Sequence, residues 1–325
     1  METRQQKETR APTLAEVEDA RRTISGIAFR TPLVPLNTKS GDADIYLKLE
    51  ILQPIGSFKI RGAANAMKHL SREQLLRGVV TASAGNMAQG LAWNARKLGV
   101  PCTVIVPETA AQTKLDAITR LGGRIIKTSY DKWWEAFETR TFPGVDATFV
   151  HAFEDTNMMA GNGTIGLEIL EDLPDVDTIV IPWGGGGLAC GTAAAVRSLK
   201  PKCKIFAAEV ETAAPLATSW VAGTPQPVDY HPSFVDGIGV KVVFPQMLKL
   251  AKKLLDGSLV VSLEEVASAI RLLAERNRVI AEGAGACSVA SAITGKAGTG
   301  KIVCVVSGGN IDTSKLCTIL RGDNP

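Results

Sequence analysis

At 325 residues the chain is too long for one minimal domain and fits one large or two moderate ones. Thirty-six lysines and arginines against 33 aspartates and glutamates leave a net charge of +3, spread along the chain with no block of like sign, so nothing points to nucleic acid. The six cysteines, Cys102, Cys190, Cys203, Cys287, Cys304 and Cys317, form no CxxC pair and read as small core residues of a reducing compartment.

The first residues, METRQQKETRAPT, are charged and lack the apolar core of a secretory signal, so a cytoplasmic location is expected. A strand is expected to end near Glu50. A Pro-Ile-Gly turn follows, Ser57 is placed to cap a helix, and Phe58 to Leu70 reads as that amphipathic helix, with Lys59 in its first turn. Short β-branched runs then alternate with helical patterns: GVVTA, the helix NMAQGLAWNARKLG, PCTVIV, GRIIKT and ATFVH. In the second half come DTIVIP, CKIFAAE, the helix LEEVASAIRLLAERN, and KIVCVVS, with room for one short helix after it. The uncharged stretch Thr178 to Val196 holds Pro182 and four consecutive glycines, so no membrane span is expected there.

This alternation predicts an α/β fold of two open, mainly parallel sheets flanked by helices. One sheet takes the strands between about Gly78 and Val150; the other takes those after Thr178 together with the N-terminal segment. The expected organisation is a small domain, residues 71–151, inserted into a larger one made of 1–70 and 152–325.

Three glycine-flagged sites carry the chemistry. Lys59 is an odd cation for the first turn of a helix, where the dipole disfavours positive charge and lowers an amine's pKa; a surface lysine is the plain alternative. Gly184 to Gly187 join an apolar strand to a helix starting near Leu188, a turn whose backbone N–H groups can hold a phosphate. A ligand-free tight turn remains open there. So does a dinucleotide site using Glu209, although the G-x-G-x-x-G spacing is absent. The strand KIVCVVS delivers Ser307, Gly308, Gly309 and Asn310 to its carboxyl end, where ligands of open α/β sheets collect.

In this order and spacing, GSFKIRGA, SAGNMAQG, the four-glycine turn, RNRVIAEGAGA and SGGNID resemble the fold-type II pyridoxal-phosphate enzymes, most closely the threonine and serine dehydratases. The similarity runs from Arg30-Thr31-Pro32-Leu33 to the end of the chain. It implies a tryptophan synthase β-like architecture, a homodimer, a small amino-acid substrate and pyridoxal 5'-phosphate held by the larger domain as a Schiff base on Lys59. Phe58 would lie against the cofactor, Asn86 would bond its phenolic oxygen, and Gly184, Gly185, Gly186, Gly187 and Leu188 would bind its phosphate. Ser307 would sit at the pyridine nitrogen, and Glu282 would stand near the cofactor or else act as a helix N-terminal acid.

Ser83, Ala84, Gly85, Asn86 and Met87 would bind the substrate carboxylate. Related racemases place a second serine where this chain has Ala84, and an alanine cannot exchange a proton on the opposite face. The resemblance therefore implies a dehydratase, or ammonia-lyase, that eliminates water from a β-hydroxy-α-amino acid, with racemase or β-replacement chemistry as the alternatives.

Departures from the pattern bear on substrate and metal. Ile55 and Met87 replace the usual threonine and histidine, Phe153 lies where the family lines the active-site mouth, and Trp183 precedes the phosphate turn. An apolar pocket is expected, favouring 3-phenylserine ahead of threonine. The aspartate with which relatives complete a cation site after Glu209 is missing, and His69, His151 and His231 form no cluster, so no essential metal is expected.

Overall fold

The computed structural model describes residues 9–38 and 41–325. In chain order the elements are α1 (Leu14–Thr23), β1 (Leu33–Pro35), β2 (Ala43–Leu49), α2 (Lys59–Lys68), α3 (Arg72–Leu76), β3 (Val79–Ala82), α4 (Asn86–Leu98), β4 (Cys102–Pro107), α5 (Gln112–Arg120), β5 (Arg124–Thr128), α6 (Tyr130–Thr139) and β6 (Thr148–Phe149). There follow α7 (Thr156–Asp172), β7 (Thr178–Pro182), α8 (Gly187–Leu199), β8 (Lys204–Val210), α9 (Pro215–Ala222), α10 (Pro245–Leu254), β9 (Gly257–Val261), α11 (Leu263–Leu272), α12 (Gly283–Ile293), β10 (Gly300–Val306) and α13 (Thr313–Leu320).

These strands form two sheets, as the alternation predicts. The larger has the order β1-β2-β10-β7-β8-β9 and the smaller β5-β4-β3-β6. Every pairing is parallel except that of β1 with β2. Parallel strands covered on both faces must be apolar throughout, and β7, TIVIP, is buried at all five positions. The N-terminal β2 enters the larger sheet beside β10, with Leu47 opposite Cys304, so residues far apart in sequence pair within one sheet. Two strands escape the sequence pattern. β1 has three residues and β9, GSLVV, is mostly half-buried, and both lie at the sheet's edges, where the apolar signal weakens.

The expected cap at Ser57 is not formed. α2 begins at Lys59 after Phe58, whose backbone is already helical, and no side chain caps the helix. Ser57 is instead pulled into an antiparallel bridge with Gly308, and its hydroxyl is buried without a protein partner. Tertiary pairing has overridden a local preference.

α2 is fixed by a buried group of charges. Arg61 donates through Nε and Nη2 to the two carboxylate oxygens of Glu50, at 2.8 and 2.9 Å, and through Nη1 to Glu168 at 2.6 Å. Lys48, on β2, reaches the other side of Glu168 at 2.6 Å. Two cations face two anions, all almost completely buried. Burial alone would raise the pKa of Glu50, but the charge and hydrogen bonds of Arg61 hold it below the ordinary carboxylate value. The group ties β2, α2 and α7 together two residues from Lys59. α7 also packs closely on α8: a Cβ on Gly191 would lie 2.2 Å from the carbonyl oxygen of Met159.

Removing one member of such a group strands the others without compensation. Arg61→Met is therefore expected to lower stability by about 3–5 kcal/mol. Urea unfolding measures it; a loss below about 1 kcal/mol, the range of an exposed ion pair, would show the group to be solvated.

Candidate active site

The amino ends of α2, α4 and α8 converge on one cavity of about 330 Å³ between the two sheets. Their first residues, Lys59, Asn86 and Gly187, all line it. Neither α4 nor α8 has a side-chain cap, so both dipole ends stay available to an anion from the cavity. The residues expected to bind cofactor and substrate line this space: Phe58, Lys59, Ser83, Ala84, Gly85, Asn86, Met87, Phe153, Gly184 to Gly187, Leu188, Glu282 and Ser307.

The first and third motifs are joined by backbone pairing. Phe58 N–H donates to the carbonyl of Ser307 at 3.0 Å, and Gly309 N–H to that of Gly56 at 2.9 Å. Lys59 is thereby set beside the carboxyl end of β10, and its Nζ donates to the carbonyl of Ala152 at 2.9 Å. Burial lowers the Lys59 amine from its ordinary 10.5 to about 8, partly opposed by the charge of Glu282. Glu282 is itself raised to about 7, by burial first and then by Asp236, and it accepts from Asn86 Nδ2 at 2.8 Å.

The four-glycine turn owes its composition partly to the protein's own packing. A Cβ on Gly185 would fall 1.8 Å from the ring of Phe153, and one on Gly186, at φ +88°, would fall 2.3 Å from the ring of Trp183. Trp183 thus lies under the turn, fully buried, and does not line the cavity. Ile55 is likewise buried outside the cavity, with its Cδ1 beside Gly90. Both corrections have one cause: sequence places a side chain near a turn but cannot say to which side it points.

The apolar wall is supplied by other residues. α6 carries Tyr130, Trp133, Trp134 and Phe137, a helical stripe not singled out from sequence although its 3.6-residue spacing is legible in YDKWWEAF. Trp133 and Phe137 face the cavity with Met87 and Phe153, and the Phe137 and Phe153 rings lie 5.3 Å apart. Behind them His151 packs on Phe137 at 4.5 Å, its Nδ1 accepting from Glu154 N–H, and burial pushes its pKa well down. Asn310, Lys114 and Asp236 also line the cavity, the last two as an ion pair of 2.6 Å across its mouth.

Glu209 lies outside the cavity, its carboxyl satisfied by Leu216 N–H and Ala217 N–H at 2.8 Å and by Ser258 Oγ at 2.6 Å. Among the described residues no group of three His, Cys, Asp or Glu side chains is arranged to hold a metal ion. No helix of the described residues is long and apolar enough to cross a membrane.

A lysine of lowered pKa, two uncapped helix ends and a buried strand-end hydroxyl suit an aldehyde cofactor bearing a phosphate and a pyridine ring. Residues 24–308 match the family described as pyridoxal-phosphate dependent enzyme. The chain is 42% identical over 314 residues to the L-threonine ammonia-lyase of Thermotoga maritima, covering 95% of this chain and 78% of that protein. It is 37% identical over 322 residues to the L-threonine dehydratase catabolic TdcB of Staphylococcus aureus, covering 95% and 92%. Among solved structures, maize serine racemase superposes with a TM-score of 0.88 at 30% identity, over 95% of this chain and 96% of that one.

The fold and the site thus define a fold-type II enzyme that depends on pyridoxal 5'-phosphate, and the chain belongs to the pyridoxal-phosphate dependent enzyme family. Within that family it is a lyase.

A Lys59 amine with a pKa of about 8 becomes mostly neutral, and so nucleophilic, above that pH. Uptake of pyridoxal 5'-phosphate by the cofactor-free protein should therefore accelerate through pH 8 and then level off, followed by stopped-flow absorbance. A rate still climbing towards pH 10.5 would mean an ordinary solvated lysine.

Proposed function

We propose that the protein eliminates water from a β-hydroxy-α-amino acid, releasing a 2-oxo acid and ammonia, and that its preferred β-substituent is apolar or aromatic. 3-Phenylserine is placed ahead of threonine. The observation that carries this choice is the wall of Trp133, Phe137, Phe153 and Met87 in the cavity that holds Lys59.

In this reading Lys59 would hold the cofactor and, once free of it, would take the substrate's Cα proton; its lowered pKa leaves it able to accept one near neutral pH. Bound pyridoxal phosphate supplies an electron-withdrawing ring that makes that proton removable. Gly184 to Leu188 would hold the phosphate at the amino end of α8, and Phe58 would support the ring. Ser83 to Met87 hold the substrate carboxylate at the amino end of α4. Ser307 would offer the pyridine nitrogen a neutral hydroxyl, which would not force it to stay protonated, and the weaker electron sink that results would favour prompt loss of a β-leaving group. Cleavage of the Cβ–O bond would then release water, the hydroxide taking up the proton removed from Cα, and leave an enamine whose imine tautomer hydrolyses to the 2-oxo acid and ammonia.

Two other readings have support. The relatives named for threonine favour a small β-substituent. The likeness to serine racemase favours proton exchange on both faces of Cα. Against the latter, Ala84 at the cavity wall has a methyl group that carries no exchangeable proton.

A phenyl ring in place of a methyl group buries on the order of 100 Å² more apolar surface, worth about 2.5 kcal/mol. Phenylserine should therefore exceed threonine in kcat/KM by roughly 70-fold. Scoring ammonia and 2-oxo acid release across a panel of β-hydroxy amino acids measures this, and a strong threonine preference would overturn the aromatic reading while leaving the dehydratase one intact. Trp133→Ala is expected to lower kcat/KM for phenylserine roughly tenfold more than for threonine. Equal losses on both substrates would place Trp133 in the scaffold only.

A further inference from the structure

The orientation of Asn86 is set by a neighbouring amide at the cavity wall. Asn310, which follows β10, places its side-chain Nδ2 2.8 Å from the backbone carbonyl of Ile55 and 2.8 Å from Oδ1 of Asn86. A backbone carbonyl can only accept, so Ile55 decides which end of the Asn310 amide is nitrogen. Both hydrogens of that nitrogen are then committed, one to Ile55 and one to Asn86. Asn86 must in turn present its oxygen to Asn310, and its own nitrogen faces Glu282 Oε1 at 2.8 Å. One hydrogen of the Asn86 amide is left for the cavity that Asn86 lines.

The relay is closed at its far end as well. Glu282 also accepts from the backbone N–H of Asn310, so one residue holds both the amide and its acceptor. Space reinforces the geometry: the Asn310 side-chain oxygen lies 2.9 Å from where a Cβ on Gly56 would sit, and Gly308 leaves no room for a Cβ between Asn86 and Glu282. The polarity of a single carbonyl in the Pro-Ile-Gly turn thus passes through two amides to the wall of the active site.

We propose that Asn310 is a positioning residue that fixes Asn86 with its N–H, and not its carbonyl, turned to the cofactor's phenolic oxygen. The inference rests on the placement of Asn86 beside that oxygen and is independent of the substrate. A donor at the phenolic oxygen stabilises its anionic form, whereas an amide oxygen in the same place repels it. Asn310 therefore acts on the acidity of the bound cofactor through Asn86.

The test uses the cofactor-loaded enzyme without substrate and follows the pH titration of its visible absorbance. Asn310→Asp can no longer donate to Asn86 through its side chain. Asn86 then turns over to donate to the new carboxylate, and the phenolic oxygen loses its donor. The titration midpoint should rise by about one pH unit, with kcat falling on the order of tenfold.

Asn310→Ala, which adds no charge, should move the midpoint the same way by a smaller amount. In an Asn86→Ala background neither change should move it further, whereas a direct effect of the aspartate's charge would persist there. The proposal is overturned if Asn86→Ala shifts the midpoint but the Asn310 variants do not, or if their shifts survive undiminished without Asn86. An unmoved midpoint in Asn86→Ala would instead remove the placement of Asn86 on which the proposal stands. Unchanged thermal unfolding of the Asn310 variants, expected for an exposed side chain, separates these outcomes from misfolding.

Discussion

The site depends on how firmly the first turn of α2 is held. In the proposed function Lys59 meets the cofactor at a fixed place between two sheets, and a lysine side chain is long and flexible. Arg61, two residues on, is bonded to Glu50 and Glu168, and Lys48 closes the group from β2. A neutral set of four buried charges resists displacement, because moving any member exposes the others to an unpaired, low-dielectric interior. It costs desolvation, and what it returns is position. From that anchor Phe58 and Gly56 pair with Ser307 and Gly309, which brings the lysine to the carboxyl end of β10.

Around the anchored lysine the protein gathers positive potential with little formal charge. The helix ends of α2, α4 and α8 open into the same cavity, and the glycines of the α8 turn leave its backbone bare. Backbone dipoles attract an anionic group without adding a competing cation near the lysine, whose amine must lose its own proton to react. Burial contributes in the same direction for Lys59 and in the opposite direction for Glu282, so the two are drawn together towards neutrality. Two titratable groups poised near pH 7 to 8 in one enclosed space suit proton transfer.

The polar half of the cavity and its apolar half come from different parts of the chain. Ser307, Glu282, Asn86 and Lys59 sit where the sheets and the helix starts meet. The aromatic half comes from α6 and the His151–Phe153 turn, with Phe244 behind it at 5.2 Å from Phe153. A division of this kind lets side-chain preference vary on α6 while the cofactor machinery stays unchanged.

Sequence alone determined the α/β class, the strands from Val79 to Val306 that carry strong apolar runs, and the cavity residues that fall in glycine-flagged motifs. These are local signals: β-branched runs, strand-to-helix turns, and a lysine where a helix start disfavours it. Tertiary structure alone decided the rest. Ser57 surrendered its capping role to pairing with Gly308, Trp183 and Ile55 turned into the interior, and Trp133 and Phe137 came forward as the apolar wall. The Ile55–Asn310–Asn86–Glu282 relay joins residues up to 255 positions apart. The physical reason is the same in each case. A residue's type and its place in an element are written in the neighbouring sequence, but the direction of its side chain is set by which distant surface packs against it.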